Sequence, residues 1–309
     1  MKTPSKKIII EGKINPYNLG AFQMFYEHMV IKNLSQGTIE GYKSDLFQFF
    51  NYLYKYKDDK KFNTVIQNDI EDYIKFCMIN GNNEDRLRRR CASLNSMYNL
   101  LRKKNIVENN PMQDIDRPKK KLDVREKHFL TEQQVKVIKK NLYKLNNIVA
   151  ESYVLLSLST AGRISAINNI KWQDINFEER EIKVIEKGSN QTTIYFSEEV
   201  KEKLIELKKF YEINNINLPY VFITKYRGEY RHACKASMRK WTRQTGELIG
   251  ISNFAPHSYR RTTATILKNN GMPLEDVSYI LNHSSTQTTQ RYIKQNKHQI
   301  KNLKDSLHI

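Results

Sequence analysis

The sequence predicts a mainly α-helical protein in two parts, a helical N-terminal domain and a mixed α+β C-terminal domain with a small antiparallel β-sheet. Three observations carry this. Apolar residues recur at three- and four-residue steps along most of the chain, two-residue alternation is confined to one stretch near 182–196, and a charged segment without hydrophobic period separates the two regions. The 309 residues suit about two domains. The expected divisions are a flexible N-terminus over 1–16, a helical domain over 17–115, a basic linker over 116–128 and a second domain over 129–309 with a tail over 294–309.

The N-terminal isoleucine run is ended by Glu11 before a signal-peptide core can form, and Pro16 closes the segment. Ser35 to Thr38 reads as a helix cap. Beyond it Ile39, Tyr42, Leu46, Phe49, Phe50 and Leu53 make one apolar face. Ile70, Tyr73, Ile74 and Cys77 make a second. After the Asn80-Gly81-Asn82-Asn83 loop, Leu87, Cys91, Leu94, Met97, Tyr98 and Leu101 make a third. This third helix opens with Arg86, Arg88, Arg89 and Arg90, a cluster too dense to pair with Glu84 and Asp85 alone. Contact with phosphates is one reading, a solvated basic face the other.

Lys119, Lys120 and Lys121 lie in the linker, where their charges suit a phosphate backbone. Thr131 and Gln134 form a capping box that opens the next helix. Tyr153 to Leu158 belongs to a buried helix, broken at Ser159-Thr160-Ala161-Gly162 and resumed from Arg163 to Ile170. Ile182, Val184 and Glu186-Lys187 alternate, Gly188 to Gln191 turns, and Thr192, Ile194 and Phe196 alternate again, which predicts a hairpin at one edge of a small sheet. Helices are expected to dominate from Ser197 onward, with Pro256 and Pro273 at helix starts.

Composition narrows the function. The 52 Lys and Arg against 33 Asp and Glu leave a net charge of +19, a field that attracts polyanions such as nucleic acid. Lysine enrichment accompanying frequent Asn, Ile and Tyr is the alternative source of this surplus. Cys77, Cys91 and Cys234 form no C-x-x-C pair, which argues against a disulfide scaffold or zinc ribbon and suits a reducing cytosol. No stretch approaches the apolar length of a membrane span, so a cytoplasmic, nucleoid-associated protein is expected.

Several residues carry chemistry. Arg163 begins a helix, where the dipole disfavours a cation, so a bound anion would compensate; a guanidinium with its head in water is the alternative. His257 and Arg260, three apart after Pro256, share a helix face, a spacing that also describes an ordinary surface pair. His283 stands on a loop and Tyr292 two turns into the element that follows; in isolation such a tyrosine reads as core. Taken together, two permanent cations, a hairpin lysine, two histidines and a tyrosine are what phosphodiester transesterification through a protein nucleophile requires without metal.

In order, Arg163, Lys187, His257-Ser258-Tyr259-Arg260, Leu281-Asn282-His283 and Tyr292 resemble the tyrosine recombinase, or phage integrase, family. Leu34 to Thr38 with Tyr42 and Asp45-Leu46 is similar to the start of the family's core-binding domain, and Asn110-Pro111 to its end. Ala161 to Ser165 with Trp172 to Ile175 is similar to its first catalytic box, and His257 to Thr265 with Gly271 and His283 to Tyr292 to its second. The resemblance implies a two-domain enzyme of the simple type, without a separate arm-binding domain. Tyr292 would attack the scissile phosphate, leaving a 3′-phosphotyrosyl link and a free 5′-hydroxyl. Arg163 and Arg260 would clamp the non-bridging oxygens, Lys187 would protonate the leaving oxygen, His257 would accept the tyrosine proton, and His283 would hydrogen-bond the phosphate. Neither ATP nor a metal or other cofactor is implied.

The implied partners are double-stranded DNA and further copies of the chain in a synaptic tetramer, joined through the tail 294–309, which could instead fold back on its own domain. Accessory DNA-bending or directionality proteins complete the set. Base contacts are expected on the helix from Arg86 and near Arg231 to Arg243. Departures from the family pattern are Ala166, where an acid is frequent, Arg261 for histidine, Asn282 for glycine, and few basic residues after Lys187. Two rival functions are a catalytically silent DNA-binding or architectural protein and a type IB topoisomerase-like activity.

Overall fold

The computed structural model describes residues 14–116, 118, 129–186, 191–282 and 286–290. The chain divides into two compact units, Met1–Val124 and Arg125–Ile309. The expected flexible N-terminus up to residue 13, the linker lysines Lys119, Lys120 and Lys121, and the tail 294–309 lie outside the described residues.

The first unit is built on four helices, α1 (Pro16–Ile31), α2 (Gln36–Tyr56), α3 (Gln67–Ile79) and α4 (Glu84–Lys103). Each has a polar side chain at its start. Asn15, Ser35 and Asn83 accept the amides of Asn18, Thr38 and Arg86, and the Asp69 carboxylate accepts the amide of Ile66 at 3.0 Å, which satisfies donors that a helix N-terminus leaves open. The apolar stripes then close on one another. Leu46, Phe49, Phe50 and Leu53 of α2 meet Ile70 and Tyr73 of α3 and Leu94, Met97 and Leu101 of α4, all buried. Asn18, fully buried on α1, gives an amide hydrogen to the carbonyl of Lys60 and accepts from the amide of Phe62, which pins the α2–α3 connection to α1.

The second unit is organised around α6 (Ile148–Thr160), whose residues are almost all buried. Such an apolar helix needs cover on every side; α8 (Glu198–Ile213), α9 (Lys235–Glu247) and α10 (Pro256–Asn269) supply it. The predicted capping box opens α5 (Glu132–Asn141), with Thr131 Oγ1 accepting from Gln134 and Gln134 Oε1 from the amide of Thr131. The helix expected from Arg163 is the short α7 (Ile164–Asn168). Next comes a three-stranded antiparallel sheet, in the order β1 (Ile175–Asn176), β2 (Glu181–Ile185), β3 (Gln191–Tyr195). Its register sets Ile182 opposite Ile194, both buried, and Val184 opposite Thr192.

The expectation that helices dominate after Ser197 omits a second hairpin, β4 (Ile223–Tyr226) with β5 (Glu229–His232). Its connection is Arg227-Gly228, both with positive φ, the two-residue turn whose twist suits a hairpin. Arg231 is therefore on a strand. The last described helices are α11 (Leu274–Ile280) and α12 (Thr286–Gln290), joined by the hydroxyls of Ser278 and Thr289 at 2.5 Å. Among the described residues no helix is long and apolar enough to cross a membrane.

Candidate active site

The site is assembled at the C-terminal end of α6. Ala161 caps that helix in the left-handed conformation, φ +51°, and the chain turns at once into α7. Gly162 makes this turn possible: a Cβ there would lie 2.9 Å from Cγ1 of Ile167 and 3.2 Å from Oγ1 of Thr160. With the corner fixed, the carbonyl of Ala161 is turned toward α10.

Arg260 on α10 takes that carbonyl. Its Nη1 donates to Ala161 O at 2.7 Å and its Nη2 to Leu281 O, and the residue is buried. Both Nη groups are thereby met, which offsets part of the cost of burying a guanidinium. The packing of α10 explains its placement. Tyr259 forms edge-on contacts with Tyr153 and Phe254, Thr262 Oγ1 accepts the amide of Leu130 at 2.8 Å, and Thr263 donates to Leu158 O at 2.6 Å.

Arg163 approaches the same corner from α7. Its Nη2 donates to Asn282 O at 3.3 Å, one residue beyond the Leu281 carbonyl held by Arg260, and its Nη1 pairs with the carboxylate of Glu186. The compensation expected for a cation at a helix start is thus, within the chain, a carboxylate. The guanidinium side chain remains 30% exposed, so it is not sealed in.

His257 is three residues before Arg260, in the first turn of α10, with part of its surface in solvent. Its pKa lies below the ordinary imidazole value, first because part of its hydration is lost and then through the charges of Arg260, Arg261 and Arg163. The ring is neutral at pH 7 and able to accept a proton. Among the described residues, no His, Cys, Asp and Glu side chains gather in a group of three that could hold a metal ion.

Two of the six expected site residues, Arg163 and Arg260, are therefore brought together, and His257 stands on α10 three residues before Arg260, close enough for both guanidiniums to depress its pKa. Lys187, His283 and Tyr292 lie outside the described residues. Their chain neighbours are informative: Glu186 and Asn282 both touch Arg163. Neither was a predicted site residue. A signal existed for Glu186 in the sequence, where continuing the alternation of Ile182 and Val184 would call for an apolar side chain; it directly follows the end of β2.

The arginine cluster on α4 is only partly as expected. Arg86, Arg88 and Arg89 are exposed, Arg88 donating to the carbonyl of Pro118 at 3.1 Å. Arg90 corrects the reading that the whole cluster faces phosphate: it is buried, with Nη1 2.8 Å from Cys77 Sγ and 3.4 Å from Tyr73 Oη, and Nη2 on Gln48. Arg89 also has a distant acid, donating at 2.6 Å to Asp45, which is buried and accepts Ser93 as well.

The sequence matches the model of the phage integrase family over residues 128–299, more than half the chain, and that of the phage integrase N-terminal SAM-like domain over 22–105. The chain belongs to the phage integrase family. It is an enzyme, a tyrosine-type DNA strand transferase of the site-specific recombinase kind. Similar proteins include the tyrosine recombinase XerC of Leptospira interrogans serogroup Icterohaemorrhagiae serovar copenhageni (strain Fiocruz L1-130), 26% identical over 284 residues, which cover 90% of this chain and 89% of the relative. A tyrosine recombinase of Thermosipho africanus (strain TCF52B) is 25% identical over 279 residues, covering 88% and 93%. In fold the chain is similar to the XerH site-specific recombinase bound to a palindromic difH substrate, with a TM-score of 0.72, 15% identity and coverage of 90% and 82%. It is also similar to lambda integrase(75-356) bound as a dimer to a COC′ core site, with a TM-score of 0.71, 13% identity and coverage of 90% and 96%.

Two departures from the integrase pattern acquire physical reasons. Asn282 has φ +48°, a left-handed conformation that asparagine adopts more readily than most side chains. Ala166 is buried in the core, so α7 presents no acid to Arg163, and that charge comes from Glu186.

Proposed function

We propose that the chain cleaves and rejoins DNA strands at a specific duplex site through a 3′-phosphotyrosyl intermediate on Tyr292. The observation that carries this is the meeting of Arg163 and Arg260 at one corner, with His257 close enough for both to depress its pKa and the chain neighbours of Lys187 and His283 held to Arg163.

The phenol oxygen of Tyr292 attacks the scissile phosphorus as its proton passes to neutral His257. A phenol has an ordinary pKa near 10, so the attack depends on nearby positive charge. Arg163 and Arg260 neutralise the non-bridging oxygens of the five-coordinate phosphorus, and His283 donates a hydrogen bond to them. The 5′-oxygen leaves with a proton from Lys187 as the phosphotyrosyl bond forms. Reversal with a different 5′-hydroxyl joins a new strand, and the ester retained in the phosphotyrosine makes ATP unnecessary. Positive charge on the chain and the exposed Arg86, Arg88 and Arg89 support duplex DNA as the partner. Exchange of two duplexes calls for four copies in a synaptic tetramer, with the tail 294–309 as the linking segment and accessory DNA-bending or directionality proteins as further partners.

The test uses a duplex recovered from a randomised library by binding to the full chain, nicked so that cleavage releases a short oligonucleotide. A covalent adduct is expected with the wild-type chain and none with Tyr292→Phe. Binding without an adduct would make the chain an architectural protein, and relaxation of supercoiled plasmids regardless of sequence would make it a topoisomerase.

A further inference from the structure

The hairpin of β2 and β3 is tied to the arginine corner on both sides of its turn. Ile182 and Val184 share one face of β2, Thr192 lies opposite Val184 on that same face, and Glu186 is the first residue after the strand. The first two residues are buried in the core. The Glu186 side chain is only 9% exposed and is paired with Arg163. A carboxylate so enclosed needs a charged partner, and a guanidinium so paired loses its freedom to swing. From the other strand, Thr192 Oγ1 donates to Asn282 Oδ1 at 3.0 Å, while the main-chain oxygen of Asn282 accepts from Arg163. Helix α7, whose residues are Ile-Ser-Ala-Ile-Asn, has no acid of its own to offer Arg163.

We propose that Glu186 and Thr192 are positioning residues that fasten the β2–β3 hairpin to the arginine site, Glu186 through the guanidinium of Arg163 and Thr192 through Asn282. Glu186 thereby orients the guanidinium read above as clamping the phosphate, and Thr192 orients the segment whose carbonyl accepts from it. The proposal rests on the role given above to Arg163. Glu186 does not touch the reacting atoms; its effect passes through Arg163 and the hairpin.

The test compares full-length wild type with Glu186→Gln, Glu186→Asp and Thr192→Val on the nicked duplex described above. Adduct formation is followed in a single turnover at saturating DNA, and DNA affinity is measured separately. Glu186→Gln is expected to slow adduct formation about tenfold, the scale of a modest misplacement of reacting groups, while the apparent Kd stays within about twofold. Glu186→Asp recovers part of the rate because a carboxylate is restored. Thr192→Val slows it less, and its effect combined with Glu186→Gln falls short of the product of the two, as for residues acting on one unit. A Glu186→Gln rate equal to or faster than wild type would overturn the proposal, since the carboxylate would then be inert or a competitor of the phosphate. Equal losses in rate and affinity would overturn it too.

A second readout is independent of the reaction. In the DNA-free chain labelled with 15N-arginine, the Arg163 Nε–H resonance, assigned through Arg163→Lys, is expected to move toward the free-arginine position in Glu186→Gln. If wild type forms no adduct, the reading of the chain as a strand transferase at Tyr292 fails. The resonance then decides the tie alone, supporting it if it moves and removing it if it does not.

Discussion

Two arginines, Arg90 in the first unit and Arg260 in the second, are buried to nearly the same degree and belong to different kinds of place. Arg90 is enclosed by side chains, those of Gln48, Tyr73 and Cys77, inside a helical core. Arg260 holds main-chain carbonyls at a corner that a second, partly exposed guanidinium shares, with a histidine in contact with solvent three residues before it on the same helix. Burial of a charge therefore does not mark a reactive site by itself. What separates the two is whether the buried cation shares its anchoring segment with groups that solvent, and hence a substrate, can reach.

The largest effect that could break this comparison is on strand cleavage. Arg260→Lys keeps the charge but loses the forked geometry that spans Ala161 and Leu281, and is expected to lower single-turnover adduct formation by about a thousandfold, the scale of losing a preorganised donor. Arg90→Met replaces a buried charge by a side chain of similar length; it takes the donor from Gln48, a cost in stability of about 1–3 kcal/mol, and is expected to leave adduct formation by the folded chain at the wild-type rate. Equal losses in both variants would erase the distinction.

A smaller effect concerns His257. Because its pKa is depressed, first by lost hydration and then by three neighbouring guanidiniums, the neutral, proton-accepting form prevails at pH 7 and disappears only as pH falls through that lowered value. Adduct formation should decline on the acid side with a midpoint below that of a free imidazole, and His257→Gln should lower the plateau by about a hundredfold and abolish that limb. A limb that survives in His257→Gln would assign the titration to another group.

The smallest effect sharpens the comparison within α4. Arg86→Gln and Arg88→Gln, on the exposed face, should each reduce the slope of log affinity against log salt by about one, measured on the selected duplex. Arg90→Met should leave the slope unchanged. A reduced slope in Arg90→Met would mean that the helix reorganises on DNA.

The helices of the first unit were legible because their apolar spacing is regular, and the burial of Leu87, Cys91, Leu94 and Met97 follows from it. The inward turn of Arg90 was legible by the same rule, since it stands three residues after Leu87 and four before Leu94, but charge density drew attention to the cluster as a whole. Asp45 repeats the lesson: it stands three after Tyr42 and four before Phe49, and is buried. What spacing cannot supply is the partner. The bond from Arg89 to Asp45 spans 44 positions and that from Arg260 to Ala161 spans 99, so neither pairing has a local signature. The β4–β5 hairpin was missed because its strands are only four residues each and mostly polar: β4 has one buried residue, and β5 alternates exposed Glu229 and Arg231 with half-buried Tyr230 and His232 and no aliphatic side chain; the Arg227-Gly228 pair was the available cue. For the site, residue types and their order pointed to Arg163, His257 and Arg260, while the contacts that join Glu186, Thr192 and Asn282 to Arg163 or to one another became visible only in the fold.

The acceptors held by Arg260 have one further consequence. A peptide oxygen is present whatever amino acid carries it, so replacing the side chain at Ala161 or Leu281 deletes neither acceptor. The anchor of this guanidinium is written into the path of the backbone instead of the identity of its neighbours, and only a change that reroutes the chain, such as filling the space beside Gly162, can dislodge it without touching the arginine itself.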